Sequence, residues 1–170
     1  MATGDAAELV RHRALPEVAR YQGWVPESLE EVVEMIARME GSGFPRGGEW
    51  FQLAMVAGAA GGLVGDLGVC VSAGEARKAE VGTTLDPAFQ GRGYAPEALA
   101  GVLGYLFEAG GCHRVHASVD PRNEASVRLF ERGGFRREGH LAESCWFRGQ
   151  WVNDSIFGLL RSEWGNSGER

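Results

Sequence analysis

The stretch Gln90-Gly91-Arg92-Gly93-Tyr94-Ala95 constrains the fold of this chain more than any other. It follows a strand-like run, Glu80 to Leu85, and a turn at Asp86-Pro87. It opens an apolar-periodic helix that runs to about Glu108. A glycine-rich turn feeding a helix start gathers several free backbone N–H groups around one point, with the positive end of the helix dipole behind them. Such a cradle takes a phosphate or pyrophosphate. Its glycines let the backbone approach the anion with no Cβ in the way.

Three phosphate-bearing ligands compete for the cradle. A nucleoside-triphosphate loop needs Lys-Ser or Lys-Thr after its last glycine, and Tyr94-Ala95 stands there instead. A dinucleotide fingerprint needs a third glycine, and Pro96 occupies that place. The earlier run from Gly58 to Gly65 lacks the fingerprint spacing and reads as a hairpin loop at Gly58 to Gly62. The third ligand is coenzyme A. Gln90-x-x-Gly93-x-Ala95 resembles the acyl-CoA pyrophosphate loop of the GNAT superfamily of N-acetyltransferases. Asn123-Glu124-Ala125-Ser126 through Gly134-Phe135 looks like that family's second helix and its exit, and Ala79-Glu80-Val81-Gly82 like its fourth strand. Pro16 to Tyr21 with Trp24, and Gly149-Gln150-Trp151-x-x-Asp154 near the end, resemble the RimJ/RimL branch, whose members acetylate protein N-termini. The resemblance spans nearly the whole chain in the expected order.

A length of 170 residues suits one domain, 1–170, with a proper core, and 44% apolar residues lie in the globular range. A net charge of −6 without a basic run argues against nucleic acid as a partner. No apolar stretch is long enough to span a membrane. Cys70, Cys112 and Cys145 form an odd, scattered set, read as reduced structural thiols of a cytoplasmic protein. The histidines form no metal motif: His113 and His116, three apart on a strand, point to opposite faces. No metal site is expected.

Capping boxes at Asp5-Ala6-Ala7-Glu8 and Ser28-Leu29-Glu30-Glu31 mark helix starts, and Pro16 starts a short helix between them. Leu29, Val32, Val33, Ile36 and Met39 form one stripe, ended by Gly41 and Gly43. Trp50–Ala57, Leu63–Ser72 and Lys78–Leu85 read as an antiparallel meander. Arg114–Val119 is a strand, Asn123–Arg132 a helix, and Phe135–Phe147 with Trp151–Leu160 a closing hairpin. This order predicts an α+β fold, a mixed and mostly antiparallel sheet with helices on both faces. The family resemblance implies a strand before the first helix, yet only Met1 to Gly4 precede Asp5. A missing or truncated first strand leaves an uncovered edge, which invites a homodimer.

The resemblance implies acetyl-CoA as cofactor and transfer of its acetyl group to a primary amine, on a protein N-terminus or a small molecule, by direct attack in a ternary complex. It assigns cofactor holding to Gly91, Arg92, Gly93, Tyr94 and Ala95 after Gln90, and to Thr83, Thr84 and Leu85 of the fourth strand. Arg92 either adds charge at the phosphates or is a solvated loop residue. Glu80 matches a base of some members; the alternative is an exposed strand carboxylate. Many members carry a tyrosine acid seven residues after the helix asparagine, where Phe130 stands here. The RimJ/RimL branch has a serine three residues after it, and Ser126 fits, with Asn123 as pantetheine ligand, N-cap or both. Tyr21, Trp24, Trp146 and Trp151 are candidate walls of the acceptor pocket, and Asp154 either binds a cationic acceptor or ties down the hairpin. A non-catalytic acyl-CoA binder and a longer-chain donor such as succinyl-CoA are the rival readings.

Overall fold

The computed structural model describes residues 1–41, 43, 47–58, 61–73 and 77–165. The elements are α1 (Ala6–Arg13), α2 (Pro16–Ala19), α3 (Leu29–Met39), β1 (Trp50–Val56), β2 (Leu63–Val71), β3 (Lys78–Leu85), α4 (Tyr94–Glu108), β4 (Arg114–Val119), α5 (Glu124–Arg132), β5 (Arg136–Phe147) and β6 (Gln150–Leu160). Six strands form one sheet in the order β1-β2-β3-β4-β6-β5. All neighbours are antiparallel except β3 and β4. This is the mixed α+β sheet expected from the sequence. Among the described residues β1 stands at one edge of this sheet and β5 at the other. Ala59 and Ala60, in the expected Gly58–Gly62 loop, lie outside the described residues; β1 and β2 on either side of it pair as a hairpin would require.

Strand alternation sorts two apolar layers. Leu67, Val69, Val81, Val115, Phe157 and Leu159 pack against Leu99, Leu103, Leu106 and Phe107 of α4. On the opposite face Leu9 of α1 meets Val32 and Ile36 of α3. Each such side chain, fully buried, contributes about 1.5–3 kcal/mol relative to exposure. Leu29, expected on the α3 stripe, is instead 44% exposed, at the first residue of the helix.

A buried ionic cluster fixes α1 to β2. Asp66, fully buried, accepts from Arg13 Nε at 3.1 Å and lies 3.0 Å from His12 Nε2. Arg13 also donates to the Trp24 carbonyl and stacks 4.8 Å from the Trp24 ring centroid. Ser28 caps α3 as expected, accepting from the Glu31 amide at 3.1 Å. Asp5 does not cap α1: its carboxylate takes the Ala2 amide at 2.7 Å, because residues 3–5 wind into a 3-10 turn ahead of the helix. Among the described residues no helix is long and apolar enough to cross a membrane. The three cysteines are unpaired. Burial raises the Cys112 thiol, and burial with the Glu80 charge raises Cys70. Cys145 is exposed, on the hairpin strand β5.

Candidate active site

β3 and β4 run parallel but pair only at their starts, Lys78–Glu80 against Arg114–His116. Beyond that point the strands part. A cavity of about 740 Å³ opens there, lined by Thr83, Thr84 and Leu85 on one side and by Asn123 and Ser126 at the start of α5 on the other. The same cavity reaches Gln90, Gly91, Gly93, Tyr94 and Ala95. The structure therefore brings Thr83 to Leu85, Asn123, Ser126 and the loop residues other than Arg92 into one space, although Thr84 and Ser126 are 42 positions apart in the chain; Glu80 does not line it.

The loop geometry follows from its glycines. Gly91 has φ 74° and Gly93 φ 89°, both in the left-handed region that glycine alone adopts without strain. Gly93 is the N-cap of α4, and the first turn donates an N–H from Glu97 back to Gly93 at 3.1 Å. The amides of Gly91, Arg92, Gly93, Tyr94 and Ala95 have no acceptor among the described residues. Pro96 fits the first turn, where its missing N–H leaves nothing unsatisfied. Five free donors at a 15-residue helix start fit the diphosphate of coenzyme A.

The turn before the loop is tied to α1. Asp86 accepts from the Ala88 amide at 2.8 Å and from Arg11 of α1. Burial alone would raise the Asp86 carboxyl, but the Arg11 and Ala88 hydrogen bonds outweigh it and hold it below its ordinary value. Arg11 is in turn held by Glu8 at 2.7 Å. Thr84 is buried, and its hydroxyl donates to Gln22 Oε1 at 3.0 Å, which fixes the chain after α2 against the end of β3.

Two cationic side chains reach the cavity from α5, Arg128 and Arg132. Sequence reasoning missed them. Their spacing with Ala125 and Leu129 puts all four on one helical face, which is the signal that was available. Arg128 pairs with Glu124 at 2.9 Å. Arg92, by contrast, stands exposed 5.5 Å from the Phe89 ring centroid and does not line the cavity, so only its backbone amide belongs to the cradle.

Ser126 faces the cavity, and its hydroxyl has no partner among the described residues. Its backbone N–H is the one capped by Asn123 Oδ1, at 3.2 Å. Phe130 is core: it packs edge-on to Phe135 at 5.1 Å between ring centroids and stacks on Phe157 at 6.2 Å. Glu80 stands at the last matched pair of β3 and β4, across from His116.

A smaller cavity of about 190 Å³ adjoins the first, with Tyr21 lining both. It also holds Ser118, Asp120, Cys145 and Asp154. Asp120 is neutralised by Arg122, whose Nε donates at 3.0 Å. Burial would raise the Asp120 carboxyl, and the Arg122 contacts bring it below its ordinary value. Asp154 accepts only from the Ser118 hydroxyl and has no cationic partner among the described residues. Tyr21 and Asp154 thus line one cavity, but the three tryptophans do not join them. Trp24 gives its indole N–H to Glu31 at 2.8 Å and packs with α1 and α3. Trp146 and Trp151 pair edge-on at 5.3 Å, 60% and 56% exposed. Alternation sends them to the face opposite Cys145 and Val152. Among the described residues no side-chain cluster suits a metal ion.

This arrangement of a parted parallel strand pair above a glycine cradle defines a class, and the comparisons agree. The profile of the acetyltransferase (GNAT) domain matches residues 1–136, and the chain belongs to that family. It is 33% identical over 85 residues to the uncharacterized N-acetyltransferase YnaD of Bacillus subtilis, covering 50% of each chain. It is 30% identical over 84 residues to the ribosomal protein uS5-alanine N-acetyltransferase of Escherichia coli, covering 49% of this chain and 43% of that one. These matches span half or less of each relative's length. The fold superposes on a spermidine N-acetyltransferase from Vibrio cholerae, solved with CoA and spermine, with a TM-score of 0.82. That identity is 22%, over 96% of this chain and 94% of the other.

Proposed function

We propose that the chain transfers the acetyl group of acetyl-CoA to a primary amine by direct attack in a ternary complex. The observation that carries this reading is one continuous cavity joining the loop residues Gly91, Gly93, Tyr94 and Ala95, whose amides are free, to the parted ends of β3 and β4. Acetyl-CoA supplies an activated thioester, whose acetyl carbon forms the new C–N bond as its C–S bond breaks. Gly91 to Ala95 hold the diphosphate, with Arg128 and Arg132 beside it. Backbone groups near Thr83, Thr84 and Leu85, left without a strand partner on the β4 side, hold the pantetheine arm and polarise the carbonyl. A backbone donor of this kind is worth about 3 kcal/mol to the transition state. Glu80 takes one proton from the incoming ammonium. Ser126 protonates the departing sulfur and regains a proton from the new amide nitrogen, so three ammonium protons end on Glu80, sulfur and amide.

The acceptor lies in the smaller cavity, between Tyr21 and Asp154. An unneutralised carboxylate beside an aromatic ring suits a cationic amine. The RimJ/RimL branch reading makes protein N-termini the first acceptor class, and free polyamines the second. Three unpaired cysteines fit a cytoplasmic location. The open edge of β1, with Trp50 and Val56 half exposed, fits pairing with a second copy.

Release of free CoA thiol, followed with alanine- and serine-ended peptides and with spermidine, tests the reading. Turnover that depends on both acetyl-CoA and one of these amines is the expected result. Tight acetyl-CoA binding with no turnover on any primary amine would make the chain an acyl-CoA binder instead.

A further inference from the structure

Glu80 and His116 are the last matched pair, at the apex where β3 and β4 part, and neither lines the two cavities described above. They share the sheet face of Thr84 and Ser118, away from α4. His116 Nε2 lies 3.7 Å from Glu80 Oε2, with both side chains about a third exposed. No lysine or arginine pairs with Glu80 among the described residues. Arg114, on the same face as His116, is engaged by Glu138 at 2.6 and 3.0 Å. Cys70 lies opposite Glu80 in β2, and burial together with the Glu80 charge raises its thiol.

The second ring nitrogen of His116 bears on which way its proton points. Nδ1 is buried and has no hydrogen-bond partner. A buried N–H without an acceptor is rarer and costlier than an unmatched lone pair. That favours the ring tautomer with its proton on Nε2, the atom that faces Glu80.

We propose that His116 is a positioning residue for acetyl transfer, its Nε2–H holding the Glu80 carboxylate at the apex where the amine loses its proton. This rests on the reading of Glu80 as base. The separation is about half an ångström beyond an ordinary N–H···O bond. For the bond to form, the Glu80 side chain must turn toward the ring by that amount. His116 keeps its proton throughout; the ammonium proton goes to Glu80 alone.

Two measurements test the proposal. Long-range nitrogen–proton NMR of the free protein reads the His116 tautomer directly: Nε2–H is expected, and an Nδ1–H ring overturns it. Steady-state kinetics with acetyl-CoA, and spermidine or an alanine-ended peptide as acceptor, read the coupling. His116→Ala lowers kcat roughly 10- to 100-fold with the KM for acetyl-CoA unchanged. His116→Gln, whose amide N–H reaches the position of Nε2, recovers most of it. The His116→Ala/Glu80→Gln double variant is no slower than Glu80→Gln alone. Equal losses in the Ala and Gln variants, or losses that multiply in the double variant, overturn the positioning role while leaving Glu80 as base. Full kcat in Glu80→Gln instead removes the base reading and this proposal with it.

Discussion

Arg11 on α1 donates to Asp86, the residue whose carboxylate closes the turn just ahead of the Gly91–Gly93 loop. The cradle is thus held from outside its own loop, by a helix 75 positions earlier in the chain. Arg11 and the Ala88 amide keep Asp86 ionised below its ordinary value of 3.8. A carboxyl lowered on folding stabilises fully above the unfolded value and loses that contribution as pH falls through the folded one. Urea midpoints of wild type should fall as pH drops below about 4, and Asp86→Asn should show a shallower fall and weaker acetyl-CoA binding at neutral pH. Parallel curves for the two proteins would contradict this.

Gly93 should tolerate no side chain without strain. An added Cβ would meet nothing within 4 Å, so the penalty is conformational and not a clash. Gly93→Ala is expected to cost about 1–2 kcal/mol and to turn amides away from the diphosphate. Thermal unfolding and acetyl-CoA affinity, measured together, should both decline.

Ser126→Ala should separate chemistry from binding. The Asn123 cap uses the backbone N–H of Ser126, which the substitution keeps. The fold and the KM for acetyl-CoA are expected to hold, while kcat falls on the order of 100-fold. An unchanged kcat would assign sulfur protonation to solvent.

Asp66→Ala leaves the buried Arg13 and His12 without their anion. Breaking a buried pair in this way costs about 3–5 kcal/mol. Chemical denaturation should show a loss of that size.

The strand runs, the loop and the α5 start were legible because each rests on local periodicity or a turn signal. Arg114–Val119 matches β4 residue for residue. The relations between segments were not legible. Glu80 faces His116 only because β3 and β4 are parallel neighbours, and the connection between them carries a whole helix. The tryptophans misled for a related reason: indole size suggests a pocket wall, but Trp24 is claimed by Glu31 and Arg13 on neighbouring elements. Asp5 misled more simply, because a 3-10 turn took the place of the expected cap.

Calorimetric titration with acetyl-CoA, with NAD as control and Gly93→Val beside wild type, tests the central claim most directly. Micromolar binding of acetyl-CoA by wild type, none of NAD, and a marked loss in Gly93→Val are the predicted results. Absent acetyl-CoA binding, or binding that Gly93→Val leaves untouched, would contradict the assignment of the Gly91–Ala95 amides to the cofactor.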